Sequence, residues 1–199
     1  MNYSKIIKFD TGNSHGISTT LFVSGCANQC PLCHNQQTWD PLYGKEFSDE
    51  TLTEILKSLN NPHVKNFVLS GGDPLYYENV DFVNKIVYNV KEVFGEDKKI
   101  ILYTGMTVEN ILGFDNRVNR VRKSIINKID YLIDGCFDYK KKTKGLDLRG
   151  SYNQQCYSSI SSNENCLLTN ISLEYFREKY DNDLVNYTKI FTFNLNFKE

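Results

Sequence analysis

Apolar residues recur with two different periods along this chain, and their alternation predicts the fold. Two segments carry apolar residues at helical spacing, 48–59, where Ser48 can cap the helix, and 79–94. A weaker helical stretch covers 107–128. Short apolar and β-branched runs, which are typical of strands, occupy 18–24, 66–70, 99–103 and 130–134. Such alternation predicts a parallel sheet built from βαβ units.

The length of the chain limits how far that sheet can continue. A complete eightfold barrel typically needs roughly 250 residues, and this chain has 199. We therefore predict an α/β fold, a partial, open βα barrel with a mostly parallel sheet. Residues 1–157 form its domain, and 158–199 are a C-terminal extension packed on the same domain. In that extension we expect a polar loop over 158–165, a short helix near 172–180 and a late strand over 189–195.

The charge and the cysteine content of the chain argue against some functions and in favour of metal binding. A formal net charge of -1 and a pI near 6.3 provide no field that attracts a polyanion, so no nucleic acid is expected as a partner. No run approaches the roughly 18 apolar residues of a membrane span, and the N-terminus lacks a secretion signal, which predicts a cytoplasmic protein without a membrane partner. Six cysteines in such a chain favour metal binding over disulfides.

Half of those cysteines stand in one loop. Cys26, Cys30 and Cys33 form a C-x3-C-x2-C pattern, one thiolate fewer than the four that usually hold an iron-sulfur cluster. One iron would then be open for a substrate or cofactor. Zinc is the alternative, with His34 as fourth ligand, although His34 directly follows Cys33 and would strain a shared tetrahedron. Spacing favours the cluster and leaves zinc open. The other three cysteines are scattered, which is typical of buried thiols: Cys136, Cys156 and Cys166.

Glycines and polar residues that could contact a ligand also follow the other predicted strands. Gly71, Gly72 and Asp73 follow the second strand, Thr104 the third, and Asp134 ends the fourth. Ligands bind at the carboxyl ends of parallel strands, so these segments should converge on one rim with the cysteine loop. Paired glycines are ordinary in turns, but they also bare the backbone to a ligand, and a nearby carboxylate can accept from an ammonium group.

Together these motifs resemble a known family. The cysteine loop followed by Leu69-Ser-Gly-Gly-Asp-Pro-Leu75 is similar to the radical S-adenosylmethionine enzymes. The residues around these motifs resemble those of the activating proteins of anaerobic ribonucleoside-triphosphate reductase over about residues 1–157. The segments that carry this likeness are Thr20–Cys26, Cys33–Asn35, Thr38-Trp39, Tyr103–Gly105, Ile133–Gly135 and Arg149–Gln154.

The resemblance implies roles for the site residues. Cys26, Cys30 and Cys33 would hold a 4Fe-4S cluster whose open iron binds S-adenosylmethionine. The other implied contacts are all with that cofactor: the backbone around Leu32 and His34 to adenine; Gly71, Gly72 and Asp73 to the methionyl ammonium; Thr104 and Asp134 to the ribose or methionyl end; Arg149 to the carboxylate. Turn and capping roles are equally open for Thr104 and Asp134, and a solvated turn is open for Arg149.

The resemblance also implies a reaction. A small electron donor such as flavodoxin or ferredoxin would reduce the cluster, and S-adenosylmethionine would be cleaved to methionine and a 5'-deoxyadenosyl radical. That radical would abstract hydrogen from a glycine in a loop of the partner, an anaerobic ribonucleoside-triphosphate reductase. Two alternatives remain open: a small-molecule radical S-adenosylmethionine enzyme of the deazaguanine-forming synthase type, and a non-catalytic iron-sulfur or zinc protein.

Overall fold

One mixed sheet of nine strands organises the part of the chain that the structure describes. The computed structural model describes residues 1–161, 165–170 and 190–194. The strands are β1 (Asn2–Asp10), β2 (Ile17–Val23), β3 (Lys45–Glu46), β4 (Val64–Gly71), β5 (Lys99–Tyr103), β6 (Tyr131–Asp134), β7 (Gln155–Ser161), β8 (Asn165–Asn170) and β9 (Ile190–Asn194). Their order across the sheet is β3-β1-β2-β4-β5-β6-β7-β8-β9, so the sheet is open.

The parallel part of the sheet is its centre. Strands β2, β4, β5 and β6 pair in parallel, and these are the four strands predicted from the sequence. Every other pairing is antiparallel: β1 with β2 and β3 on one side, and β6 through β9 on the other. The expectation of a mostly parallel sheet is therefore wrong for the sheet as a whole, because hairpin-like additions flank the βαβ core on both sides. The partial barrel stays a prediction.

Among the described residues, four α-helices cross over this sheet: α1 (Asp49–Leu59), α2 (Val80–Phe94), α3 (Val108–Leu112) and α4 (Arg117–Ile126). Helix α1 begins at the predicted cap, where the Ser48 hydroxyl accepts from the Thr51 N–H at 3.4 Å. The apolar stripes of α1 and α2 are buried, including Ile55 and Val87. They pack with one face of the central strands into the main core.

The weak helical stretch at 107–128 is two helices rather than one. Helix α3 ends at Gly113, whose N–H donates to the Glu109 carbonyl at 2.8 Å. Helix α4 is capped by Asn116, whose side chain accepts from the Asn119 N–H at 2.9 Å. A glycine ends one helix and an N-cap residue shortly after it begins the next. The apolar spacing alone does not show this break, because it continues from one helix into the other.

The described residues after Asn153 include further strands of the sheet. The polar loop expected over 158–165 is wrong for 158–161, which belong to β7, and for 165, which begins β8, whereas 162–164 lie outside the described residues. Strand β7 pairs with β6, and β8 pairs with β7. The buried Tyr157 ring lies opposite Leu132 and anchors β7 to the core. The late strand is confirmed as β9, whereas the helix near 172–180 lies outside the described residues. A domain boundary at 157 stays a prediction.

The second face of the central strands is less apolar. Val68, Ile101 and Ile133 form a small cluster there. On the neighbouring β2 the buried Thr20 hydroxyl donates to the Asp10 carboxylate at 2.5 Å. Within the described residues, none of the helices has the length and apolarity needed to cross a membrane.

Candidate active site

The three cysteines of the loop line one cavity of about 240 Å³ at the carboxyl ends of the parallel strands. Strand β2 leads into the loop through Gly25, which has a φ of 97°. Two backbone bonds hold the start of the loop: Gly25 N–H to the Thr38 carbonyl at 2.8 Å, and Cys26 N–H to the Trp39 carbonyl at 3.2 Å. The cysteine loop therefore lies at the rim formed by the carboxyl ends of the parallel strands, as the sequence predicts.

The conformation of the loop brings its thiols to the cavity. Gln29 and Leu32 have φ values of 44° and 57°, in the left-handed region that residues with a Cβ rarely adopt. Cys33 N–H donates to the Cys30 carbonyl at 3.1 Å and closes a tight turn that contains Leu32. Backbone in such sparsely populated regions is common at functional sites, because the surrounding structure must hold it there.

Two N–H donors face the cysteine sulfurs. The Asn35 N–H lies 3.4 Å from Cys33 Sγ, and Asn28 Nδ2 lies 3.9 Å from Cys26 Sγ. Burial raises the pKa of the Cys26 thiol, so this sulfur favours its protonated form until a positively charged metal offsets the cost. Hydrogen bonds to ligand sulfurs are among the groups by which a protein tunes an iron-sulfur cluster.

The donor set provides the thiols that a cluster needs. Cys26, Cys30 and Cys33 all line one cavity, and His34 lines it as well. The thiolates of a 4Fe-4S cluster bind different irons and need not meet at one atom. Three thiols around one space are therefore consistent with a cluster.

The predicted glycine pair forms the wall next to the cysteine loop. A Cβ on Gly71, whose φ is 109°, would lie 2.5 Å from the backbone N and O of Val23. A Cβ on Gly72 would lie 2.5 Å from the Gly25 carbonyl oxygen and 2.7 Å from that of Thr38. Both glycines line the cavity. They allow the end of β4 to touch the start of the cysteine loop, and they leave bare backbone on the cavity wall.

Asp73 joins three strand ends. Its Oδ1 accepts from the Thr104 hydroxyl at 2.8 Å and from the Leu75 N–H at 2.9 Å. Its Oδ2 accepts from the Gly105 N–H at 3.2 Å and from Asn28 Nδ2 at 3.3 Å. Burial raises the pKa of Asp73, and the bond from Thr104 is the largest effect opposing that rise. Both carboxylate oxygens are thus bonded within the protein, which ties the cysteine loop to β4 and β5.

Thr104 and Asp134 have the turn and capping contacts that were one alternative for each. The Thr104 hydroxyl donates to Asp73 and accepts from the Met106 N–H at 3.1 Å. Asp134 Oδ2 accepts from the Val108 N–H at 2.8 Å, at the start of α3. Both residues are buried, and Thr104 also lines the cavity. These contacts hold the rim in place, and any ribose contact stays a prediction.

The remaining predicted residues lie at different distances from the cavity. The His34 side chain lines it, with its ring centroid 6.0 Å from that of Phe137. The Leu32 side chain is 65% exposed and is not among the described residues that line the cavity. Arg149 is buried and its Nη1 donates to the Gln154 carbonyl at 3.1 Å. The neighbouring Leu148 and Gly150 line the cavity, whereas Arg149 is not among the described residues that do so.

Three residues of the site were missed or misread in the sequence. Asn28 bridges Cys26 and Asp73, and nothing but its place inside the cysteine motif marks it. Asn79 is buried, and its Nδ2 donates to the Ser24 and Asp73 carbonyls at 2.8 and 3.0 Å. Cys136 was expected to be a buried thiol. It is exposed and donates to the Gly105 carbonyl at 3.1 Å, next to the cysteine loop.

Comparison with known proteins decides the family. Residues 12–157 match a family model described as a 4Fe-4S single cluster domain. The chain is 35% identical over 159 residues to the anaerobic ribonucleoside-triphosphate reductase-activating protein of Enterobacteria phage T4, covering 80% of this chain and 95% of the relative. The chain belongs to the family of anaerobic ribonucleoside-triphosphate reductase-activating proteins.

Bacterial members of this activating-protein family match to a similar degree. The protein of Vibrio cholerae is 36% identical over 156 residues, and that of Escherichia coli K12 is 35% identical over 157 residues. Each match covers 77% of this chain and 96% of the relative. The match to the cluster-domain model contains the cysteine loop, the glycine pair and Arg149, and it ends inside β7. The family assignment inferred from the motifs is confirmed, and it supports a 4Fe-4S cluster in this chain.

Proposed function

We propose that this chain activates an anaerobic ribonucleoside-triphosphate reductase by reductive cleavage of S-adenosylmethionine at a 4Fe-4S cluster. The observation that carries the proposal is the shared cavity. The three-cysteine loop and the Gly71-Gly72 backbone meet at the ends of adjacent parallel strands around one 240 Å³ space. The cluster and cofactor would supply a 5'-deoxyadenosyl radical that takes hydrogen from a glycine of the reductase.

Different residues of the chain would bind the cluster and the cofactor. Cys26, Cys30 and Cys33 would hold three irons, and the fourth would be left for the cofactor. The bare backbone of Gly71 and Gly72 lies on the wall where the methionyl group would sit beside that iron. Asp73 would act by holding the rim, because its oxygens already accept four bonds from Asn28, Thr104, Leu75 and Gly105.

Aromatic and polar side chains of the cavity would keep the radical away from water. Trp39 and Phe137 line the space together with the cysteines. Excluding water from a reactive intermediate prevents side reactions. His34 lies at the same wall, in the position where the adenine is expected by resemblance. Arg149 as a carboxylate ligand would require its guanidinium to leave the Gln154 carbonyl, so we assign it a lesser role than the glycine pair.

The proposal is tested by anaerobic reconstitution with iron and sulfide. We expect about four irons per chain, and formation of 5'-deoxyadenosine and methionine after reduction with dithionite. Cys30→Ser should lose the iron. Cys166→Ser is the matched control, since Cys166 is a buried thiol on β8 next to Ser159, away from the loop. A colourless protein with one zinc per chain would refute the proposal.

The partner and the electron donor are tested next. With the cognate reductase added, electron paramagnetic resonance should show a glycyl doublet, and flavodoxin or ferredoxin should replace dithionite. Cofactor cleavage with no glycyl signal, together with turnover of a small heterocyclic substrate, would favour the alternative of a small-molecule enzyme. The relatives favour the activase, because each of them is named for activation of the reductase.

A further inference from the structure

The side chain of Asn28 lies between two groups of the active site. Its Nδ2 lies 3.9 Å from Cys26 Sγ and donates to Asp73 Oδ2 at 3.3 Å. Asn28 lines the cysteine cavity and also a second, larger cavity of about 840 Å³ beside it. The amide group therefore stands at the edge of the cluster site, between a cysteine of the loop and a buried carboxylate.

The contact with Cys26 depends on which residue occupies position 28. Backbone N–H groups also face sulfurs of the loop, such as that of Asn35, 3.4 Å from Cys33 Sγ. Any residue except proline would supply a backbone donor. The donor from Asn28 is a side-chain amide, so an apolar side chain at this position would remove it.

Gly105 leaves the space that the Asn28 amide occupies. A Cβ on Gly105 would overlap Asn28 Nδ2 and would lie 2.8 Å from its Cγ. The Gly105 N–H donates to Asp73 Oδ2 at 3.2 Å, the same oxygen that accepts from Asn28. An alanine at position 105 would keep that backbone bond and displace the flexible Asn28 side chain. The absence of a side chain at Gly105 therefore allows the amide to reach Cys26.

The amide separates two groups that would carry negative charge. Asp73 accepts all of its described side-chain bonds, as an ionised carboxylate does. Cys26 would be a thiolate when bound to iron. Like charges repel more strongly in a buried site than in water. A donor placed between them stabilises both, because hydrogen bonds to charged acceptors are roughly twice as strong as those between neutral groups.

Reduction of a 4Fe-4S cluster adds an electron, and a donor to a ligand sulfur stabilises the added negative charge. We propose that Asn28 is a positioning residue that makes the cluster easier to reduce, by donating to the Cys26 sulfur and separating it from Asp73. Gly105 allows the amide to hold that place. This inference rests on the proposed function, in which a small donor supplies the electron.

The first test measures the reduction potential of the reconstituted full-length chain, by anaerobic titration with dithionite followed by electron paramagnetic resonance, without S-adenosylmethionine. Asn28→Ala should bind as much iron as the wild type. At a fixed potential, its ratio of reduced to oxidised cluster should fall by about threefold to tenfold, the change that one net hydrogen bond produces.

Asn13→Ala is the matched control for Asn28→Ala. Asn13 lines the same cavity, and its Nδ2 donates to the buried Asp10 carboxylate at 2.7 Å, but none of its described bonds goes to a sulfur. Its ratio of reduced to oxidised cluster should equal that of the wild type. An equal change in both variants, or in neither, would overturn the role of Asn28. A wild-type chain that binds no 4Fe-4S cluster would instead refute the proposed function itself.

The second test uses Gly105→Ala, which should bind iron normally and shift the potential as Asn28→Ala does. The double variant should show no further shift, because both substitutions remove the same contact. Additive shifts, or an unchanged potential in Gly105→Ala, would overturn the proposal even if Asn28→Ala fails to fold. Loss of iron in both single variants would also overturn it, since Asn28 would then hold the loop. A raised KM for S-adenosylmethionine at an unchanged potential would assign Asn28 to cofactor binding instead.

Discussion

The contact between Gly72 and the cysteine loop allows a quantitative prediction. In Gly72→Ala the new Cβ would lie 2.5 Å from the Gly25 carbonyl oxygen and 2.7 Å from that of Thr38. Each oxygen must retreat by roughly 0.7 to 0.9 Å before ordinary van der Waals contact begins at 3.4 Å. Both are backbone atoms, so neither can move by a simple change of rotamer. The start of the cysteine loop must move with them.

The cost has two parts. Overpacking of a close-packed site costs about 1–3 kcal/mol. The displaced carbonyls also accept hydrogen bonds at 2.8 Å, Gly25 N–H to Thr38 and Asp73 N–H to Gly25, and each contributes about 0.5–1.5 kcal/mol. We therefore expect the free energy of unfolding of Gly72→Ala to fall by about 2–6 kcal/mol, a large part of the stability of an ordinary domain.

The assay is urea unfolding of the cluster-free protein, followed by iron content after anaerobic reconstitution. Gly12→Ala is the matched control, because a Cβ there meets only Asp10 Oδ1, at 3.5 Å. That variant should stay within about 0.5 kcal/mol of the wild type. Gly72→Ala should also bind less iron, since the loop that carries Cys26 is displaced. Equal urea midpoints for the two variants would refute the close approach of β4 to the cysteine loop.

Three further predictions concern the rim. Thr104→Val removes a bond to Asp73 and should lower the free energy of unfolding by about 1–3 kcal/mol. The lost bond also raises the pKa of Asp73 in the folded state further above its ordinary value of 3.8, which the unfolded chain keeps. As the pH rises, the unfolded chain therefore releases this proton before the folded state does, and the folded state loses stability. The difference in free energy of unfolding between Thr104→Val and the wild type, measured with urea, should be larger at about pH 8 than at about pH 5. Asn79→Ala removes the side-chain donor to the Ser24 carbonyl and one of the two donors to the Asp73 carbonyl, which keeps the Tyr76 N–H at 3.0 Å, and it should destabilise the protein by about 1–3 kcal/mol. Asn89→Ala, which loses one exposed hydrogen bond, should have almost no effect in the same unfolding assay. An equal fall in the free energy of unfolding for both variants would contradict a stabilising role for the bonds from Asn79 to the Ser24 and Asp73 carbonyls. Cys136→Ser should bind as much iron as the wild type, and loss of iron would make Cys136 a fourth ligand and contradict the open iron.

The strongest elements of the fold were predictable because their signals are local. Helix α1 has its cap, its acidic first turn and its apolar stripe within 48–59, and the structure places the helix at Asp49–Leu59. The four parallel strands were found from short apolar runs that end in glycine or polar residues. Each of these signals depends on residues close in the chain, which is why sequence was sufficient.

The outer strands were less predictable. Ser158 and its polar neighbours resemble a loop, yet Tyr157 is buried and β7 pairs with β6 through backbone groups that every residue has. A strand near the edge of a sheet needs only one buried face, and its other face can be polar. The pattern of side chains therefore carries little information about whether such a segment pairs.

The sequence by itself determined the family of this protein. The three cysteines at C-x3-C-x2-C spacing and the glycine pair after the next parallel strand identify the family, because thiolate count and backbone exposure are properties of the residues themselves. Only the tertiary structure decided which polar groups face a ligand and which hold the rim. Asp73 and Thr104 bond to each other, Arg149 bonds to a carbonyl, and Asn153 donates to the Cys136 carbonyl. Those outcomes depend on which strand ends come together in space, and a buried polar atom bonds to whatever donor packing places beside it.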